Sequence, residues 1–243
     1  MSGTAHISVV CCGLIGTLIS DGATQDSATQ DSLVERAFAE AIATQGIVAG
    51  TSAYAGSMAQ VSRERGRPTG DVFASLFPDN QARAQAAGMA FERSYRAAVD
   101  RTGLHILPGA DQAIDKLTGS GTKVCLITSL PRSLLPVVLG AVGWRGRTDL
   151  ALSPDDVSRG YPAPDLVLTA LIRLKAGAVS EMAVASGSVS GITAGRRAGA
   201  RVVAGVLTGP HTPARLRQAG ATHLIETIAE LPDLLALSGN RPP

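Results

Sequence analysis

The sequence predicts an α/β fold, a parallel sheet with an α-helical segment inserted after its first strand. Three observations carry this prediction. Short runs of Val, Ile, Leu, Ala and Cys recur at 6–13, 123–128, 149–152, 181–186, 201–206 and 222–225. They lack the apolar–polar alternation of a half-exposed strand and match strands buried on both faces. Helical patterns at 109–119, 131–142, 163–175, 190–199, 212–219 and 227–237 separate the later runs, the alternation of βαβ units. Residues 22–102, between the first two runs, carry helical patterns only.

The first strand, over about 6–13, runs into a tight Gly16-Thr17 turn. A perfect tandem pentapeptide, A-T-Q-D-S-A-T-Q-D-S at 23–32, follows, too short and too polar for a solenoid and suited to a tolerant loop. Asp31 or Ser32 is placed to cap a helix whose apolar face is Leu33, Val34, Ala37, Phe38, Ala41 and Ile42, with Gly46 to end it. Three further helices are expected at about 56–65, 70–76 and 80–102. They are separated by Gly66-Arg67-Pro68 and Pro78-Asp79-Asn80, and Tyr54 and Met58 are expected to pack among them. The α/β pattern resumes at Leu107-Pro108-Gly109, Pro164 suits the first turn of the helix over 163–175, and the tail from Gly239 to Pro243 is expected to be loose.

Composition narrows the function classes. Aromatics are 3% of the chain, so the strands and their helices must pack through Ala, Val, Leu and Ile. A formal net charge of +2 gives no electrostatic case for nucleic acid or a membrane surface. No apolar run approaches the ~20 residues needed to cross a bilayer, and no basic-then-apolar leader pattern is present; the expected location is cytoplasmic. Cys11, Cys12 and Cys125 all fall in strands, where they read as small core residues, and no metal-ligand spacing is present. His6, His105, His211 and His223 fit no triad and are expected to be structural or on the surface.

Four segments then carry a resemblance. The first strand ends G-L-I-G-T at 13–17; the second reads K-V-C-L-I-T-S at 123–129; G-Y-P-A-P-D stands at 160–165; and M-A-V-A-S-G-S-V-S-G-I-T-A-G-R-R-A-G stands at 182–199. In order and spacing they resemble the motifs of the haloacid dehalogenase (HAD) superfamily, most closely its phosphonatase-like branch, over about residues 5–237. The resemblance implies a Rossmann-like core of residues 1–21 and 103–243 with an inserted helical cap at 22–102. It also marks what is missing. The nucleophilic Asp of the family falls on Gly13, the second acid on Ile15, the charge-balancing Lys on Tyr161, and the two metal-binding acids on Gly187 and Gly191. The lysines, Lys116, Lys123 and Lys175, all lie outside the cap, so a cap Schiff base is unsupported.

The implied reading is a catalytically degenerate member that does not hydrolyse phosphate esters or phosphonates. No metal and no cofactor are expected, and the role is that of an auxiliary subunit or binding protein for a protein partner or a small phosphorylated or sulfated ligand. Homo- or hetero-oligomers are compatible with it. Thr17, Thr128, Ser129 and Ser188 are the candidate ligand-binding residues, because hydroxyls and backbone N–H groups at strand tips hold tetrahedral anions. The alternative is a repurposed, metal-free enzyme, in a heteromeric complex and a biosynthetic setting, that uses the old phosphate pocket to stabilise a departing phosphate or sulfate during displacement, elimination or cyclisation. Asp21 and Tyr161 are its candidate catalytic residues, as base and hydrogen-bond donor. An open cleft containing Tyr161, Ser129 and Ser188 would favour chemistry on a small molecule; a filled cleft with an exposed apolar patch would favour a protein partner. Restoring Asp at 13, 15, 187 and 191 together is the expected route back to Mg²⁺ binding.

Overall fold

The computed structural model describes residues 6–22 and 32–239. The pentapeptide repeat, apart from Ser32, and the last four residues lie outside them. The chain opens with β1 (Val9–Gly13) and a two-residue strand, β2 (Ile19–Ser20). Four helices follow, α1 (Leu33–Ala43), α2 (Ser52–Arg63), α3 (Thr69–Leu76) and α4 (Gln81–Thr102), and then a second short strand, β3 (His105–Ile106). The remainder alternates through α5 (Ala110–Gly119), β4 (Lys123–Ile127), α6 (Leu135–Ala141), β5 (Leu150–Leu152), α7 (Asp165–Leu174), β6 (Met182–Ser186), α8 (Val189–Ala198), β7 (Val202–Val206), α9 (Pro213–Gln218), β8 (His223–Ile225) and α10 (Leu231–Gly239).

Six strands form one sheet in the order β5-β4-β1-β6-β7-β8, every neighbouring pair parallel. Alternation along β1 divides the core. Val10 and Cys12 face the side covered by α5, α6 and α10, while Val9 and Cys11 face α7, α8 and α9. In register, Cys11 lies between Cys125 of β4 and Val184 of β6. All three cysteines are buried and free; burial pushes the Cys12 thiol up, and a hydrogen bond with Cys11 together with burial pushes the Cys125 thiol up, so they act as apolar core residues.

The helical cap has a different chemistry. Three of the four phenylalanines, Phe38, Phe73 and Phe91, meet there with centroids 4.7–6.0 Å apart, and Tyr95 stacks on Phe91 at 5.9 Å. Ser32 caps α1 through the Glu35 N–H at 3.0 Å. The helix ends at Thr44, and Gly46, with φ 78°, forms the turn beyond it. Tyr54 and Met58 pack on the apolar cluster as expected. The sequence reading missed β2 and β3, which pair antiparallel where the chain leaves and re-enters the core, because two residues are too few to show a period.

The cap is fastened over the C-terminal edge of the sheet. The Thr69 N–H and hydroxyl both donate to the Ser129 carbonyl, at 3.2 and 3.3 Å, and the Ser190 hydroxyl donates to the Arg65 carbonyl at 3.3 Å. Between these contacts sits Gly66, with φ 83°. A Cβ there would lie 2.5 Å from Ser190 Oγ and 2.9 Å from Ser188 Cβ, so only glycine lets the cap loop approach this closely.

Candidate functional site

A parallel sheet puts the carboxyl ends of all its strands on one edge, where α/β folds bind ligands. Here β1, β4 and β6 end in Gly13, Thr128-Ser129 and Ser186-Gly187-Ser188, and the cap closes over them to leave a cavity of about 240 Å³. At ~30 Å³ per water, this is room for about eight waters. Thr17, Thr128, Ser129, Tyr161 and Ser188 all line it, as do Asp21 and the bare positions Gly13 and Ile15. The two halves of this edge differ.

In the half at β6, where Ser186, Ser188, Thr208 and Gly209 also line the cavity, the protein itself takes up the backbone donors. The Gly187 N–H donates to Thr17 Oγ1 at 3.0 Å, the Ser188 N–H to Ser186 Oγ at 3.1 Å, the Val189 N–H to His211 Nδ1 at 3.4 Å, and the Gly191 N–H to Ser188 Oγ at 3.1 Å. The α8 N-terminus therefore has side-chain partners on the donors that an anion would otherwise take. His211 is buried and neutral. Loss of solvation and the nearby Arg215 and Arg65 lower its pKa to about 4, against the opposing effect of a hydrogen bond with the Gly187 backbone. The loop after β7 closes this half, with Thr208 Oγ1 donating to the Gly16 carbonyl at 3.2 Å. Gly209 packs on Gly187 backbone to backbone. A Cβ on Gly187 would meet Gly16 O and Gly209 Cα at 2.6 Å, and one on Gly209 would meet Gly187 Cα at 2.4 Å.

These contacts decide the fit of the Mg²⁺ that the resemblance implies for an active member. Gly13, Ile15, Gly187 and Gly191 offer no side-chain oxygen. A Cβ on Gly191 would fall 2.3 Å from Ser186 Oγ, and one on Gly13 would fall 2.8 Å from Thr17 Oγ1. Among the described residues no three His, Cys, Asp or Glu side chains come together as a metal site. The residues present do not fit the ion. Restoring an acid at position 187 would require the Gly16 and Gly209 backbone to move, since a Cβ there lies 2.6 Å from both.

The half at β4 and β5 is open. Tyr161, which follows β5, is 4% exposed, and burial pushes its hydroxyl pKa well up, so it is a neutral donor. Tyr161 belongs to the buried apolar cluster that also holds Cys11, Ile127, Leu152 and Leu166. The Tyr161 and Ser129 hydroxyls hydrogen-bond no described residue. Neither is among the enclosed, unpartnered side-chain atoms, which are Tyr95 OH and the Nε atoms of Arg65, Arg67 and Arg147; both hydroxyls therefore open onto the cavity. The cap supplies an apolar wall of Val34, Phe38, Val61 and Val72 and two cations. Arg65 pairs with Glu35, and Arg67 with Glu64 at 3.1 Å. Glu64 also accepts from the Ser75 hydroxyl at 3.0 Å.

Asp21 lines the cavity but is also tied to α1, its Oδ2 accepting the Val34 N–H at 3.2 Å and its carbonyl the Leu33 N–H at 3.0 Å. Sequence reasoning missed Arg65, Arg67, Gly209 and His211. The Gly-Arg-Pro punctuation at 66–68 marked a loop, but its position over the strand tips is a tertiary fact. In the sequence His211 shows no role beyond that of a structural or surface residue, and the close approach of residues 187 and 209 leaves no periodic trace.

Comparison with known proteins agrees with this geometry. A family model described as haloacid dehalogenase-like hydrolase matches residues 7–199. Among solved structures, a hydrolase from Pseudomonas syringae superposes with a TM-score of 0.77 at 24% identity, covering 95% of this chain and 98% of that one. A phosphonoacetaldehyde hydrolase-like protein from Oleispira antarctica gives 0.79 at 20% identity, covering 98% and 96%. A haloacid dehalogenase family hydrolase from Deinococcus radiodurans, with bound phosphate and sodium, gives 0.66 at 23% identity, covering 98% and 99%. At these identities the likeness is one of fold. A curated Lacticaseibacillus casei protein of the fgs 3′ region is 38% identical over 61 residues, a match spanning 25% of this chain and 28% of that protein.

Proposed function

This chain belongs to the haloacid dehalogenase-like hydrolase family, and from that membership we propose that it is a degenerate member: it holds a small molecule between cap and core and does not hydrolyse phosphate esters or phosphonates through Mg²⁺. One observation carries the reading. The tip of β1 presents Gly13 where a nucleophile would stand, yet a cavity of about 240 Å³ remains beside it. Loss of a single key catalytic group commonly costs several powers of ten in rate, and here nucleophile, metal acids and lysine are absent together.

A small-molecule role is favoured over capture of a protein through an apolar face. The large exposed apolar residues, Val48, Met89, Ile172 and Leu237, lie apart, in a loop and on α4, α7 and α10. The grouping of Tyr161, Ser129 and Ser188 in one cavity also favours a second reading, metal-free displacement or elimination on the bound molecule with Tyr161 as donor and Asp21 as base. The test is a melting-temperature screen with chelator present, using phosphate, sulfate and a panel of neutral small molecules at constant ionic strength, beside a phosphatase assay with p-nitrophenyl phosphate and millimolar Mg²⁺. A ligand at a hundred times its Kd raises stability by about 2.7 kcal/mol. The expected result is saturable stabilisation by one chemical class with no Mg²⁺-dependent turnover. Turnover abolished by chelator, or no stabilisation by any class, overturns the reading.

A further inference from the structure

The chemistry lining the cavity says which class of ligand suits it. The core contributes no cation: its strand tips bring glycine, serine, threonine and Tyr161, and its one charged lining residue is Asp21. The cap contributes Arg65 and Arg67, each neutralised by its own partner, Glu35 and Glu64. Carboxylates therefore outnumber guanidiniums three to two around the cavity. The amide donors of the α8 N-terminus are already taken by Thr17, Ser186, His211 and Ser188. A dianion entering here would give up its hydration without a free cation or a free amide cluster to replace it, a costly exchange in a partly enclosed space.

Among the described lining residues, the hydroxyls of Tyr161 and Ser129 are neutral donors that hydrogen-bond no described residue. Buried polar groups find partners in almost all proteins. A tyrosine with 4% exposure and no hydrogen bond from the chain is a donor waiting for an external acceptor. Both residues line the same cavity; Ser129 follows β4 directly, and β4 is paired with β5, the strand that precedes Tyr161, with the Thr128 N–H donating to the Leu152 carbonyl at 3.0 Å. Opposite them stand the apolar cap residues Val34, Phe38, Val61 and Val72.

We propose that this cavity selects a neutral, amphipathic small molecule, its carbonyl oxygen (amide, ester, lactone or ketone) accepting hydrogen bonds from the Tyr161 and Ser129 hydroxyls and its apolar body lying against the cap wall. The inference rests on the reading that the cavity holds a small molecule, and it replaces a phosphorylated or sulfated head group with an uncharged one. Because the Tyr161 hydroxyl hydrogen-bonds no described residue, Tyr161→Phe is expected to leave the unliganded melting temperature unchanged, which separates recognition from folding.

The experiment is a ligand-observed NMR titration of the full chain with two matched probes, phenylacetamide and phenyl phosphate, repeated on Tyr161→Phe and Ser129→Ala. The expected result is saturable phenylacetamide binding, tighter than phenyl phosphate, with Kd rising roughly 2- to 12-fold in each variant, the span of one neutral hydrogen bond. Tighter binding of phenyl phosphate overturns the proposal while leaving a ligand-binding cavity in place. Phenylacetamide binding that neither variant weakens does the same, because the amide is then held elsewhere. No binding of either probe overturns the proposal, and the broader melting screen then decides separately whether the cavity binds anything.

Discussion

At the end of β6 the chain packs backbone against backbone; at the ends of β4 and β5 it leaves a cavity under the cap. Both places lie on one edge of one sheet, so the topology that makes an α/β site favours them equally. The difference comes from side chains. Gly187 and Gly209 have none, and their loops touch; Ser129 and Tyr161 carry hydroxyls that hydrogen-bond no described residue. A site can thus lose one chemistry in two ways, by removing reactive groups or by filling their space. On the proposed reading, β6 combines both, with Gly187 and Gly209 packed together, whereas at β4 and β5 more of the space survives.

The sharpest way to break this comparison is Gly187→Asp. The new Cβ would lie 2.6 Å from both Gly16 O and Gly209 Cα, and a carboxylate would be forced into a backbone-packed space. The expected loss is about 4 kcal/mol in unfolding free energy, read from denaturant titration, from overpacking plus burial of a charge. Gly187→Ala, which adds the steric part alone, should lose about 1–3 kcal/mol. Millimolar Mg²⁺ should rescue neither. A Gly187→Asp protein of unchanged stability would mean that the β6 half is open after all.

His211 gives the next effect, through pH. Its pKa is lowered to about 4 in the fold, against about 6.5 in an unfolded chain. The fold therefore favours the neutral ring. The contribution is fully present above pH 6.5, and stability falls as pH drops from there toward 4, because the unfolded chain takes up the proton first. At ~1.36 kcal/mol per pKa unit the ceiling is about 3 kcal/mol. His211→Asn, which keeps an acceptor for the Val189 N–H but cannot titrate, should be flatter over that window by this amount. Equal pH slopes for the two proteins would show that the ring is not held neutral against Arg65 and Arg215.

Much of the fold was legible because it rests on local period and composition. The doubly buried strands announced themselves as apolar runs, and the Gly-Thr, Pro-x-Pro-Asp and Gly-x-x-x-Gly fragments fixed their order. The cysteines of β1 also followed the simplest rule, adjacent strand residues facing opposite sides. The site was legible in its omissions: Gly13, Ile15, Gly187 and Gly191 could be named from four fragments. Its contents were not. Arg65 and Arg67 reach the strand tips from a loop more than a hundred residues from Ser188, and His211 reaches α8 from beyond β7. Side chains that meet only through tertiary closure carry no period, and nothing in the local sequence distinguishes them from solvated loop residues.

The smallest effects concern how firmly the open half is roofed. Gly66→Ala forces a side chain onto φ 83° and toward Ser190 Oγ at 2.5 Å. The backbone penalty alone is about 1 kcal/mol, and the clash with a movable hydroxyl adds to it. Ser190→Ala removes the hydroxyl that reaches the Arg65 carbonyl and relieves that clash at once. Alone it should cost about 1 kcal/mol, one neutral hydrogen bond. In the double variant the two losses should sum to less than their separate values, because the second change makes room for the first. Strict additivity would mean that the cap loop does not rest on α8, and the roof of the cavity would then have to be held by the Thr69–Ser129 contact alone.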